Sequence, residues 1–167
     1  MKHFAHKLCF LVVAICAIVG PLIVPNSAWG QTKSKPVLVV SGKASGAVEF
    51  DLPALQAMKQ TTFIAPTPWD TRPVKFSGPL LREVLAAAGV SGTRLSAVAV
   101  NDYAVTIPWS DTTKFDVILA IKMNDRDIPA RTKGPVFLVY PFGSSPELEA
   151  TVYKDRSIWQ LKALKVE

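Results

Sequence analysis

Hydrophobic and polar positions change period several times along this chain, and the changes mark its parts. An apolar run from Leu8 to Val24 follows the positive charges of Lys2 and Lys7 and ends in Pro25-Asn26-Ser27. Charged, then apolar, then polar is the order of a secretory signal peptide. Ala28 and Gly30 put small residues three and one before Gln31, which places cleavage after Gly30. The run is near the shortest that spans a bilayer and Gly20-Pro21 interrupts it, so a removed leader is expected over 1–30 rather than an anchor. One exported domain is expected over 31–167.

Within that domain, Val37 to Val40 and Ala47 to Phe50 read as short strands joined through a glycine-bearing connection. Asp51 is placed to cap a helix whose apolar positions Leu52, Leu55 and Met58 recur at helical spacing, with Pro53 tolerated in the first turn. A strand over Thr61 to Ala65 leads into Pro66-Thr67-Pro68-Trp69-Asp70-Thr71-Arg72-Pro73, where the prolines forbid regular structure. After Val74-Lys75-Phe76, Gly78-Pro79 reads as the start of a helix with Leu80, Leu81, Val84, Leu85 and Ala88 on one face and Gly89 as its stop.

The second half is strand-rich. Leu95 to Val100 and Tyr103 to Ile107 flank the turn signal Asn101-Asp102, and Phe115 to Met123 and Ile128 to Ala130 flank Asn124-Asp125-Arg126-Asp127. Val136 to Tyr140 is a continuous apolar run, hence a buried strand, and the chain closes on a strand in which Trp159, Leu161 and Ala163, with Leu164 and Val166 as further candidates, face inward. Two short helices among about eight strands define an α+β class, a mixed and mainly β domain.

Composition changes this picture mostly by what is missing. Both cysteines (Cys9, Cys16) and both histidines (His3, His6) fall in the leader, so residues 31–167 contain neither. A Ser-His-Asp triad, a thiolate nucleophile and soft-metal sites are therefore excluded, and the domain must hold together by its core without a disulfide. No metal is expected: Asp125 with Asp127, and Glu147 with Glu149, are carboxylates two apart on turns, read as solvated and too few for a calcium loop. The leader holds two of the 19 basic residues and none of the 13 acidic ones, which leaves a formal charge of +4 for the domain. The cations are scattered, so nucleic-acid binding is not expected.

The binding-type residues are aromatic and cationic. Trp69 in the proline-stiffened loop either presents its indole to a flat ligand or plugs the end of the core, and Arg72 is placed to hold an anionic or carbonyl edge. Trp109 and Trp159 read as core. Arg131 and Lys133 precede Gly134, where backbone can approach a phosphate or carbonyl, although an ordinary basic loop has the same composition.

Ser77-Gly78-Pro79-Leu80-Leu81-Arg82-Glu83-Val84-Leu85, then Ala88-Gly89-Val90, Asn101-Asp102-Tyr103, Val117-Ile118-Leu119-Ala120, Lys133-Gly134-Pro135, Tyr140-Pro141 and Ile158-Trp159-Gln160-Leu161 together resemble the molybdopterin-binding domain of the sulfite oxidase superfamily. Its catalytic members hold molybdenum through a cysteine in the stretch matching Thr61 to Phe76, where this chain has Trp69 and no cysteine. Lys133 stands where those enzymes carry a histidine. The combination, with Ile64-Ala65-Pro66-Thr67-Pro68-Trp69, resembles a short periplasmic branch of molybdopterin-dependent-oxidoreductase-like proteins. That resemblance implies a periplasmic, non-catalytic protein that binds a simple pterin instead of the molybdenum cofactor. It further implies a partner, the periplasmic sensing domain of an inner-membrane enzyme of cyclic diguanylate metabolism.

By the same resemblance the pocket is walled by Trp69, Asn101, Asp102, Tyr103, Arg131 and Lys133, with Tyr140, Arg156 and Trp159 nearby and Thr67 and Arg72 on the loop. Trp69 or Tyr103 would stack on the pterin, Asp102 accept from its ring N–H and amino group, and Arg131 donate to its carbonyl. Two alternatives stay open: a molybdopterin-dependent oxidoreductase serving a redox partner, and a cofactor-free interaction domain.

Overall fold

A parallel joint between the two ends of the domain anchors its main sheet. In the computed structural model, which describes residues 34–43 and 46–167, β1 (Leu38–Gly42) lies parallel to β11 (Leu161–Val166), with Val39 opposite Ala163. The leader expected over 1–30 lies outside the described residues. β2 (Val48–Phe50), β5 (Arg94–Ala99) and β6 (Ala104–Pro108) complete a five-stranded sheet in the order β2-β1-β11-β5-β6, with every other pairing antiparallel. A second sheet of four strands, β3-β4-β8-β9, contains β3 (Gln60–Ala65), β4 (Val74–Pro79), β8 (Lys122–Met123) and β9 (Arg126–Asp127). The ribbon of β7 (Ile118–Ala120) and β10 (Phe137–Val139) is tied to its neighbours by bridges from Ile118 to Leu80 and from Leu138 to Ile158.

The core follows from this layering. Leu38, Val40, Leu95, Ala97, Leu161 and Leu164 are inaccessible on one face of the main sheet, and Phe76 is inaccessible on β4. Val117 to Ile121 and Val136 to Tyr140 are buried along their whole length, as unbroken apolar runs must be, because both faces of the ribbon are covered. Each face that leaves water stabilises the fold by about 25 cal/mol per Å² of apolar surface, in place of the missing disulfides.

The α+β, mainly β class is as expected. Asp51 caps α1 (Leu52–Ala57), its Oδ1 accepting from the Ala54 amide at 2.8 Å. Gly89, at φ 66°, ends α2 (Leu81–Ala87). The Asn101-Asp102 hairpin forms with Asp102 at φ 65°, and β5 pairs with β6 from Arg94 opposite Pro108 to Val98 opposite Ala104.

Four expectations are corrected. Gly78-Pro79 does not open α2 but closes β4, where Thr61 faces Gly78 and Gln60 faces Pro79. Strand pairing wins there because β4 crosses β7 so closely that a Cβ on Gly78 would strike the Leu119 carbonyl. The expected strand from Phe115 to Met123 is interrupted, with α3 (Trp109–Lys114) before it and a break at Ile121 separating β7 from β8. Asn124 and Asp125 both take positive φ, 49° and 64°, which makes a two-residue turn and brings Arg126-Asp127, not Ile128 to Ala130, into the hairpin. Finally, a 3-10 turn over Pro146–Glu149 and α4 (Thr151–Arg156) occupy a stretch without helical apolar periodicity, so four α-helices stand where two were expected. Tyr153 is the one buried residue of α4, too sparse a signal to show in the sequence.

The β4–β7 crossing gives a direct test. Gly78→Ala is expected to destabilise the protein by about 1–3 kcal/mol through overpacking, read as a lower midpoint in thermal denaturation. An unchanged midpoint would show that the crossing has slack.

Candidate functional site

At one end of the main sheet, three segments distant in sequence surround a cleft of about 290 Å³. The β5–β6 turn contributes Asn101 and Tyr103, the exit from α4 contributes Lys154, Asp155, Ser157 and Ile158, and the proline-rich loop contributes Trp69. Trp159, just past Ile158, faces the cleft and is 38 % exposed. Its pattern along the strand placed it in the core while the resemblance placed it by the pocket; the bridge between Ile158 and Leu138 buries Ile158 and turns its neighbour outward.

Trp69 combines both roles open to it. Its indole packs edge-on against buried Phe137 and Phe142, each with ring centroids 6.0 Å away, and against Trp159 at 5.6 Å. Behind the two indoles sits Lys133, whose Nζ lies 6.0 Å from the Trp69 ring centre and 5.8 Å from that of Trp159. The same ammonium donates to Asp70 Oδ2 at 2.7 Å, and that oxygen also accepts from the Thr67 hydroxyl at 2.7 Å. Burial by itself would raise the Asp70 carboxyl, but the hydrogen bonds from Lys133 and Thr67 and the Lys133 charge outweigh it and hold the group below its ordinary 3.8. Lys133 and Thr67 thus brace the aromatic wall from behind.

The opposite wall is braced by hydrogen bonds. Asn101 Oδ1 accepts from the Tyr103 amide at 3.2 Å, and the Tyr103 hydroxyl donates to the Asp155 carbonyl at 3.3 Å, so the ring spans from the hairpin to α4. Tyr103 remains 49 % exposed, and its ring is open to a ligand.

Other residues expected at the site lie elsewhere. Asp102 turns away, its left-handed backbone directing the carboxylate to Lys162 Nζ at 2.5 Å; that hydrogen bond, with the lysine charge, lowers its pKa. Tyr140 is wholly buried and donates to Asp111 Oδ2 at 2.7 Å, and Arg156 Nη1 donates to the same oxygen at 2.8 Å. Burial, then the Asp111 carboxylate, pushes the Tyr140 hydroxyl far above its ordinary range. Arg72 lines a separate depression with Asp70 and Asn124, and Arg131 is exposed outside the cleft. The cleft therefore unites Trp69, Asn101, Tyr103 and Trp159, with Thr67 and Lys133 behind, and leaves Arg72, Asp102, Arg131, Tyr140 and Arg156 outside its lining. Lys154, Asp155 and Ser157 were not singled out beforehand, although Lys154-Asp155-Arg156 is a compact charged run next to an apolar one.

Residues 27–144 match the family model for the oxidoreductase molybdopterin binding domain, and the chain belongs to that family. No curated protein matches it. Among solved structures, the sulfane dehydrogenase SoxCD from Paracoccus pantotrophus is similar in fold, with a TM-score of 0.60 at 19 % identity over 77 % of this chain. The match covers 37 % of that protein's chain, so this chain spans little more than a third of its length.

The family's cofactor is molybdopterin, and the donor set here divides it. A flat pterin ring matches the cleft, which offers the faces of Trp69, Trp159 and Tyr103 with amide and carboxylate groups at the rim. For the metal end, residues 31–167 supply neither a thiolate nor an imidazole.

Two outcomes test the bracing. Lys133→Met removes the cation that keeps Asp70 ionised, so the Asp70 carboxyl, followed by carbon NMR, should titrate at higher pH. In the native protein its stabilising contribution is complete above 3.8 and is lost as the pH falls through its lower folded value; the variant should lose it earlier. Asp111→Ala strands the Arg156 guanidinium in a buried setting and should cost about 3–5 kcal/mol in urea unfolding.

Proposed function

We propose that this protein is a non-catalytic pterin-binding protein of the periplasm. In this reading its occupied cleft is sensed by the periplasmic domain of an inner-membrane signalling enzyme of cyclic diguanylate metabolism. The observation that carries the reading is the pairing of an aromatic cleft with a domain devoid of thiol and imidazole: the ring half of the family's cofactor has a seat and the metal half has no ligand. Trp159 and Tyr103 supply stacking faces, and Asn101 and Asp155 supply acceptors for the N–H groups along the aminopyrimidinone edge. The accessible rings and the rim of α4 are the surfaces whose exposure changes with occupancy, which suits a sensor.

The family membership favours a second reading, in which the domain carries complete molybdopterin and serves a redox partner. Titration of the purified protein with oxidised and reduced pterins, followed by tryptophan fluorescence, separates the two when combined with molybdenum analysis. Saturable quenching without stoichiometric molybdenum supports the proposal; stoichiometric molybdenum overturns it, as does the absence of any pterin binding. Trp159→Ala should weaken pterin binding roughly tenfold, the loss of about 1.4 kcal/mol of stacking, and should also lower the melting temperature, because the ring packs on Trp69 and Phe137.

A further inference from the structure

β3 is the outer strand of its sheet, paired with β4 on one side and, among the described residues, with no strand on the other. Edge strands are ordinarily blunted by charge, proline or shortness. The other outer strands of the two larger sheets follow that rule: β2 has three residues including Glu49, β9 is Arg126-Asp127, and β6 ends in Pro108. β3, with the sequence Gln-Thr-Thr-Phe-Ile-Ala, has six residues in unbroken register, no charge and no proline. Ile64 on it is 68 % exposed, a large apolar side chain left in water.

The backbone of this edge has a defined polarity. The carbonyls of Ser77 and Lys75 accept from the amides of Ile121 and Asn124, so both residues direct their backbone groups away from β3. Directly opposed residues of an antiparallel pair either exchange bonds or both point outward. Thr62 opposite Ser77 and Ile64 opposite Lys75 therefore turn N–H and C=O to the free edge, as does Gln60 by alternation. A groove of about 540 Å³ runs beside this edge, with Phe115 and Pro141 in its lining. Its charges are already matched, Lys114 by Glu147 and Asp116 by Arg82, so an uncharged extended segment is what it accommodates.

We propose that the occupant is β3 of a second copy of this chain, added antiparallel so that two four-stranded sheets become one. Opposed residues share a face of the sheet, so the two-fold axis must pass through a residue. An axis at Thr62 pairs Thr62 with itself and Gln60 with Ile64, which satisfies every outward backbone group and covers Ile64. An axis at Phe63 would set Gln60 against Pro66, which has no N–H to give. The interface is thus a self-complementary strand pair centred on Thr62, with the Phe63 ring of each copy over Thr61 of the other.

Sedimentation velocity of the purified protein over a wide concentration range, with Thr62→Lys beside it, tests the assembly. The native chain should form a dimer, and Thr62→Lys, which sets two ammonium groups against each other on the axis, should lose it while keeping the circular dichroism spectrum of the folded chain. The register is tested by oxidation in a background with Cys9→Ser and Cys16→Ser. Thr62→Cys, near threonine in size, should cross-link to a covalent dimer because opposed Cα atoms about 5.5 Å apart lie within disulfide range. Ile64→Cys should not cross-link, since its two copies fall on opposite sides of the axis. A native chain that stays monomeric at every concentration, a dimer that survives Thr62→Lys, or equal cross-linking by the two cysteine variants overturns the proposal.

Discussion

Asp111 lies almost wholly buried on α3, and one oxygen of its carboxylate takes hydrogen bonds from both the Tyr140 hydroxyl and the Arg156 guanidinium. Three elements meet at that oxygen: α3, the end of the β10 strand run, and the last turn of α4. Removing the carboxylate would leave both donors without their shared acceptor, so Asp111 is the group on which the knot depends. Its consequence for function is positional. Arg156 fixes the C-terminal turn of α4, and the next residues, Ser157 to Trp159, form one wall of the cleft. The guanidinium also lies 5.4 Å from the centre of the Tyr153 ring, whose hydroxyl donates to Glu147, so the restraint runs along the whole short helix. A helix of six residues has almost no stability of its own and takes its place from such contacts.

The facing wall works by a different balance. Lys133 lies in a mostly buried position, paired with Asp70 and flanked by two indole faces. A cation committed in this way is an internal strut and offers little to a ligand's anionic group. The charges that do line the cleft, Lys154 and Asp155, are adjacent and opposite, so the site presents aromatic surface with a nearly neutral rim.

The two surfaces to which roles are assigned are joined through a single stretch of chain. β3 leaves its sheet at Ala65 and runs directly into Pro66-Thr67-Pro68-Trp69, so the free edge and the aromatic wall are consecutive in sequence. Prolines stiffen that connection. Pro66 also lies against Gly143, which has φ 82°, so the loop is packed on the same segment that borders the groove beside β3.

Much of the fold was legible before any coordinates, for local reasons. Asp51 caps its helix, Gly89 stops the next, Asn101-Asp102 turns a hairpin, and the apolar runs around Leu119 and Leu138 are buried strands, because capping, left-handed turns and period are properties of neighbouring residues. The molybdopterin-binding family was also readable, since it rests on residue type and order. Tertiary structure decided the rest. Gly78-Pro79 became strand because β7 passes across it, α4 formed on contacts from Asp111 and Glu147, and Trp159 faced the cleft because Ile158 took the core position. Lys133 and Asp102, both plausible ligand contacts by type, were claimed by Asp70 and Lys162, residues far away in sequence. A sequence displays which groups can bind, but a charged side chain goes to whichever partner the fold brings within hydrogen-bond reach, and only the packed chain determines that distance.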